Sequence, residues 1–258
     1  MSSLPLAGRR VLVTRALHQA GKLSDGLRAL GAEPVEVPVL EIVPPESYAP
    51  LDDALRHLDR YEWLILTSVN TLQEVCKRCA RFGVNPANAQ GLSVAAVGGA
   101  TAEAARHSGF RVAIVPEAYV AESLVSALGD RVRGKRALLA RAAIARDVIP
   151  DALREAGATV DVADAYRNVL PEAAPEQLRL ALTEKIDAVS FTSSSSATHL
   201  AEAARLAGIT WPFADVPAIS IGPITSQTLR ELGWEPAAEA NPSDIPGLID
   251  AIVRVLPG

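Results

Sequence analysis

The sequence is poor in most of the residues from which reactive centres are built. Of its 258 residues two are cysteines, four are histidines and one is methionine, and aromatics make up 4%. Cys76 and Cys79 alone make neither a disulfide framework nor a four-ligand zinc site, and they fall within a helical pattern, so incidental helix cysteines are expected. His18, His57, His107 and His199 lie far apart, and none has a second ligand at a metal-binding spacing, so no metal is expected. Lysine is scarce, with 4 against 21 arginines and a net charge of −5. The arginine excess reads as compositional bias rather than a cationic face, and nucleic acid is excluded as a partner. No apolar run reaches the roughly 18 residues of a membrane span. The opening residues also lack the apolar core of a secretory leader, so a cytoplasmic protein with no membrane partner is expected. Phosphate-binding and hydrolase motifs are missing too: there is no G-x-G-x-x-G after a strand, no G-x-x-x-x-G-K-[ST] and no G-x-S-x-G.

What the chain does contain is itself, twice. Gly8-Arg9-Arg10-Val11-Leu12-Val13-Thr14-Arg15 returns 126 residues later as Gly134-Lys135-Arg136-Ala137-Leu138-Leu139-Ala140-Arg141. Gly31-Ala32 returns as Gly157-Ala158, Leu66-Thr67-Ser68 as Phe191-Thr192-Ser193, and Val97-Gly98-x-x-Thr101 as Ile221-Gly222-x-x-Thr225. A repeat of domain size predicts two similar domains rather than a solenoid, with function in the cleft between them.

Within each repeat short apolar runs alternate with amphipathic segments. Strands are predicted at 10–14, 35–39, 63–66, 93–97 and 112–115, and again at 136–140, 159–162, 188–191, 218–221 and 235–238. Helices are predicted at 18–30, 70–81, 100–108, 121–128, 146–156, 195–207, 224–232 and 245–256. Alternating strands and helices give an α/β fold with doubly wound parallel sheets, and five strands per repeat suit the flavodoxin-like order 2-1-3-4-5. Proline-bearing stretches after the second strand of each repeat, at 39–45 and 164–175, read as linkers. Two wirings remain open on sequence alone: sequential domains, or a chain that crosses at both linkers. The proline-rich breaks favour crossing.

In such sheets ligands bind beyond the carboxyl ends of the strands. The residues there are Thr14-Arg15, Thr67-Ser68-Val69-Asn70, Gly98 to Thr101, Arg141, Thr192-Ser193-Ser194-Ser195-Ser196 and Gly222 to Thr225. Each turn is small, hydroxylated or glycine, and each opens a helix. Helix capping accounts for any one of them. Together they suggest a polyanion held by backbone N–H groups at several helix N-termini. The run of four serines exceeds what one cap needs. Tyr166 is the notable aromatic, either packing the hinge or donating a proton from its hydroxyl.

These turns resemble those of the uroporphyrinogen-III synthase family. The matching features are Val-Leu-Val-Thr-Arg at 11–15, Thr-Ser-x-Asn at 67–70, Val-Gly-x-x-Thr-Ala at 97–102, Arg141 with Arg146, Tyr166, Phe-Thr-Ser-Ser at 191–194 and Ile-Gly-Pro-x-Thr at 221–225. The resemblance runs from residue 11 to 252, and its strength lies in the order and spacing of the motifs. It implies two flavodoxin-like domains joined by a two-stranded linker, with the chain crossing twice. Domain 1 would be 1–38 plus 171–258, domain 2 would be 44–164, and the linkers 39–43 and 165–170. It implies a lyase that closes hydroxymethylbilane, a linear tetrapyrrole with eight carboxylates, into a macrocycle with the last pyrrole ring inverted and water lost. No cofactor is implied. Tyr166 would be the catalytic general acid. Arg15, Thr67, Ser68, Asn70, Gly98, Thr101, Arg141, Arg146, Thr192, Ser193, Ser194, Ser195, Gly222 and Thr225 would bind substrate. The family often has two threonines after Gly-Pro, and here the first is Ile224, which leaves only its N–H. A monomer is expected, with transient hand-over from the enzyme that makes hydroxymethylbilane. The alternative is a two-domain binding protein, or a regulatory module, for a small polyanionic ligand.

Overall fold

The computed structural model describes residues 4–116, 121–145 and 147–256. The chain opens with β1 (Arg10–Val13), α1 (Leu17–Ala29) and β2 (Glu33–Glu36). A long middle segment follows. Its first half is β3 (Glu41–Val43), α2 (Ala49–Arg56), β4 (Trp63–Leu66), α3 (Val69–Arg81), β5 (Ser93–Ala96) and α4 (Gly99–His107). Its second half is β6 (Val112–Ile114), α5 (Ala121–Leu128), β7 (Arg136–Ala142), α6 (Val148–Glu155) and β8 (Thr159–Val169). The last segment is α7 (Ala174–Ala181), β9 (Ala188–Phe191), α8 (Ser194–Ala207), β10 (Ala218–Ser220), α9 (Pro223–Glu231), β11 (Ala238–Glu239) and α10 (Ile245–Val255).

Two compact units result. Unit 1 is Met1–Ile42 with Val169–Gly258, and unit 2 is Val43–Asn168. Among the described residues the sheet of unit 1 runs β2-β1-β9-β10-β11, with parallel pairs throughout. The other sheet runs β3-β8-β7-β4-β5-β6, and its pairs from β8 to β6 are parallel. By the repeat, β7 and β8 are the second copies of β1 and β2, and β9 to β11 are the second copies of β4 to β6. Each sheet therefore has a five-strand body with two strands from one repeat and three from the other, and β3 adds a sixth strand at the edge of the second sheet. Both read 2-1-3-4-5, the flavodoxin-like order. The chain crosses between units twice, because no sequential division gives these pairings.

Strands buried on both faces explain the continuous apolar runs. In β1, Val11 and Val13 join a core with Leu23, Leu27, Leu248 and Ile252 beneath α1 and α10. Leu12 points the other way, into a core with Leu178, Leu200 and Leu229 beneath α7, α8 and α9. That second core gathers several of the chain's few aromatics. Trp234 meets Phe191, Trp211 and Phe213 edge-on at centroid distances of 5.6, 4.8 and 5.2 Å. In unit 2, Trp63, Ile65 and Leu139 pack with Leu124, Leu128, Ile149 and Leu153 of α5 and α6. Pro34 sits in β2, an edge strand, where a missing N–H is tolerated.

Two expectations are corrected. The strand predicted at 159–162 runs unbroken to Val169, with Tyr166 inside it. The stretch 39–43 contains β3, which lies beside β8 in the sheet, a pairing of two strands as the resemblance implied. Pairing with a neighbour outweighs the local signal of polar residues and nearby prolines. Lastly, α2 and α7 occupy regions where no helix was predicted. Each carries a proline in its first turn, Pro50 and Pro175. That position needs no N–H partner, so the proline starts a helix rather than interrupting the chain.

Candidate active site

In a 2-1-3-4-5 sheet the connections depart in opposite directions between strands 1 and 3. The carboxyl ends of those two strands leave a crevice there. In unit 2 the pair is β7 and β4, aligned with Leu66 opposite Ala140. In unit 1 it is β1 and β9, with Val13 opposite Ser190.

In unit 2 the chain leaves β4 through Thr67 and Ser68 into α3. The Ser68 hydroxyl caps the helix, accepting from the Thr71 N–H at 3.1 Å. One cap satisfies one of the four unpaired N–H groups of a first turn. The same hydroxyl lies 3.2 Å from the Tyr166 hydroxyl and 3.0 Å from Thr71 Oγ1. Tyr166 reaches it from β8, where it pairs with Ala142 just past a register shift in β7, and its backbone carbonyl accepts from the Ala143 N–H. The phenol is buried, at 6% exposure. Arg141, next to last in β7, is half-buried and forms a 2.7 Å ion pair with Asp147 at the start of α6. The structure thus gathers Thr67, Ser68, Arg141 and Tyr166 at one crevice. Asn70 lies in the first turn of α3, half-buried. Gly98 opens α4 with no side-chain cap, and Thr101 behind it is buried. Arg146 lies outside the described residues.

Unit 1 repeats the plan with different chemistry. Thr14 is fully buried, and its hydroxyl donates to the Ser190 carbonyl at 2.9 Å, tying β1 to β9. Arg15 follows it, half-buried, and burial lowers its pKa. Among the described residues no carboxylate forms an ion pair with it. Arg15 and Thr192 are the repeat mates of Arg141 and Thr67. The serine run is more occupied than its excess suggested. Ser193 and Ser196 form a reciprocal capping box. Ser194 donates to the Ile224 carbonyl at 3.3 Å and accepts from Thr228 at 2.8 Å, tying α8 to α9. Ser195 alone of the four has no side-chain hydrogen bond among the described residues. Gly222 opens α9 without a side-chain cap, and Pro223 supplies no N–H, so Ile224 and Thr225 offer the first amides. Thr225 is 4% exposed, so its hydroxyl is not a surface group.

Other reactive residues are quiet. Cys79 is buried, and burial pushes its thiol up to about 12. His57, His107 and His199 each place Nδ1 within 2.9 Å of a backbone carbonyl. Among the described residues no three His, Cys, Asp or Glu side chains gather as a metal site, and no helix is long and apolar enough to cross a membrane. A hollow of about 640 Å³ lies at the amino ends of β1 and β9, lined by Arg9, Arg10, Lys185, Glu184 and Asp187. Its charges pair with one another.

Fold and edges together define a class: a two-unit, doubly wound α/β protein whose strand ends meet helix N-termini suited to anions. The chain belongs to the uroporphyrinogen-III synthase family. The family model HEM4, described as uroporphyrinogen-III synthase HemD, matches residues 21–250. The chain is 35% identical over 257 residues to a uroporphyrinogen-III synthase of Synechococcus elongatus, covering 98% of this chain and 97% of that one. It resembles the crystal structure of a mutant uroporphyrinogen III synthase of Thermus thermophilus, with a TM-score of 0.67 and 20% identity over 96% of this chain and 99% of that one. A uroporphyrinogen-III synthetase of Helicobacter pylori matches with a TM-score of 0.61 and 17% identity over 96% and 99%. At those identities the two solved structures speak for the fold.

Proposed function

We propose that this protein carries out the reaction for which its family is named. It closes the linear tetrapyrrole hydroxymethylbilane to uroporphyrinogen III, inverting the last pyrrole ring and releasing water. It is a lyase of tetrapyrrole biosynthesis. Family membership over nearly the whole chain carries this reading.

The chemistry divides between positioning and proton transfer. The linear substrate closes unaided to the uninverted isomer, so the protein must dictate geometry more than supply reactivity. Holding two reacting ends together removes as much as ~7–11 kcal/mol from a barrier. The substrate carboxylates suit the helix N-termini at Ser68, Gly98, Ser193 and Gly222, where amides and helix dipoles favour anions. Asn70, Thr67, Thr192, Ser194 and Ser195 flank these amides. Arg15 and Arg141 add charge pairing from the two crevices. Tyr166 is the general acid: its proton leaves with the substrate hydroxyl as water, and the Ser68 hydroxyl orients it. The electron-deficient carbon left behind is attacked by the last ring. The resulting spiro intermediate breaks and recombines to invert that ring, and the proton shed from the ring's free α-carbon balances the one Tyr166 gave to the water.

The same reading makes the protein a cytoplasmic monomer that receives its short-lived substrate by transient hand-over from the enzyme that makes it. The test is direct. Incubated with hydroxymethylbilane, the protein yields mainly the type III isomer on chromatography. A product mixture matching the spontaneous type I reaction would overturn the assignment.

A further inference from the structure

A second feature of the unit 2 crevice goes beyond amide-bound carboxylates. Between the carboxyl ends of β4, β5 and β7 lies a hollow of about 190 Å³. Its lining includes Val97, Leu139, Ala142, Ala145 and Ile149, with two polar residues, Arg141 and Thr67, whose hydroxyl lies 3.3 Å from Thr71 Oγ1. It sits at the topological switch point of the sheet, where doubly wound proteins bind ligands. Mostly apolar walls with a few convergent polar groups are the ordinary make-up of a small-molecule site. Its volume is below the ~300–1,000 Å³ of pockets that enclose drug-sized ligands, so it holds a fragment of a tetrapyrrole and not the whole.

We propose that this hollow is a subsite for one pyrrole ring of the substrate, with the ring against the apolar walls and one of its carboxylate side chains reaching Arg141 and Thr67. The proposal rests on the functional reading above and deepens it. A substituted pyrrole has an apolar face and an acidic periphery, and the hollow presents the matching division. Amides at helix tips grip carboxylates but leave the ring itself unconfined. A walled slot confines it, and a ring held there stays fixed while the last ring turns over.

Asp147 sets the resting state. Its carboxylate is exposed, makes no cap to α6, and pairs with Arg141 at 2.7 Å. A substrate carboxylate entering the hollow competes with it or shares the guanidinium, whose fork carries five N–H donors. Asp147 is thus a stand-in anion that keeps Arg141 neutralised until the ring arrives.

The test uses the full-length protein and a monopyrrole bearing one acetate and one propionate. Binding is followed by protein-observed NMR at millimolar probe, alongside turnover of hydroxymethylbilane. Ala145→Phe fills the mouth of the hollow from an exposed loop position. We expect it to weaken the monopyrrole about tenfold or more and to raise KM for the linear substrate by a similar factor. Asp147→Asn should tighten the monopyrrole by about two- to fivefold, a gain that a folding defect cannot produce. A monopyrrole that fails to bind the wild type, or binds wild type and both variants alike while type III product forms normally, overturns the subsite and leaves the functional reading standing. Loss of type III product in the wild type strikes that reading first, and the subsite falls with it.

Discussion

The hydrogen-bond partner of the Tyr166 hydroxyl is an alcohol. Ser68 Oγ lies 3.2 Å away and already accepts the Thr71 N–H. Tyr48 and Tyr61 have other partners: they donate to the carboxylates of Glu74 and Asp161, and burial first, then those bonds, raise the two phenols to about 12. Tyr166→Phe is expected to lower kcat by about 10- to 100-fold without abolishing it, and to reduce the type III to type I ratio. Product analysis under single-turnover conditions checks this. Ser68→Ala removes a cap and an orienting partner together. Its expected signature is a stability loss of about 1 kcal/mol with a smaller fall in kcat than Tyr166→Phe. At this scale the sequence pointed to turn residues without revealing their hydrogen-bonding partners. A count of four serines said nothing of a capping box or of Ser194 bridging to α9, because those partners are set by where the next helix lies. Thr14, Thr101 and Thr225 likewise turn inward, which composition cannot reveal.

Elements were legible where apolar periodicity was strong. The buried β1, β4, β7 and β9 and the long α3 and α8 lie within a residue or two of their predicted positions. Short amphipathic pieces beside prolines were not. In α2 and α7 the proline that reads as a breaker occupies the first turn. In β8 the extension to Val169 depends on a neighbouring strand rather than on its own residues. Helix starts also depend on what lies against them. Gly247, in the first turn of α10, has no room for a side chain, since a Cβ would sit 2.1 Å from the Pro242 carbonyl oxygen. Gly247→Ala should destabilise unit 1 by about 1–3 kcal/mol, seen as an earlier transition in denaturant, while the transition of unit 2 stays in place. Coincident shifts in both transitions would count against independent units.

For the molecule as a whole the crossing has a consequence for folding. Residues 43–168 are one continuous segment and contain β4 to β8 with the helices that cover them. Residues 1–134 span the first repeat and hold two strands of one sheet and four of the other. The segment 43–168 expressed alone is expected to show a cooperative thermal transition by circular dichroism, and the segment 1–134 is not. The opposite result would show that the repeat, not the composite unit, is the folding unit.

Internal repetition, strand and helix content and the positions of the chemistry-bearing turns were all determined by the sequence alone, because local periodicity and turn chemistry are written within a few residues. Its likeness to one family also implied the crossing that residue patterns left open. Tertiary structure alone decided which strands became neighbours, and so which turns share a crevice. Ser68 and Tyr166 are 98 residues apart in the chain and meet only because β7 lies between β4 and β8. Long-range pairing of this kind rests on burial summed over whole sheet faces, a quantity that no short window of sequence contains.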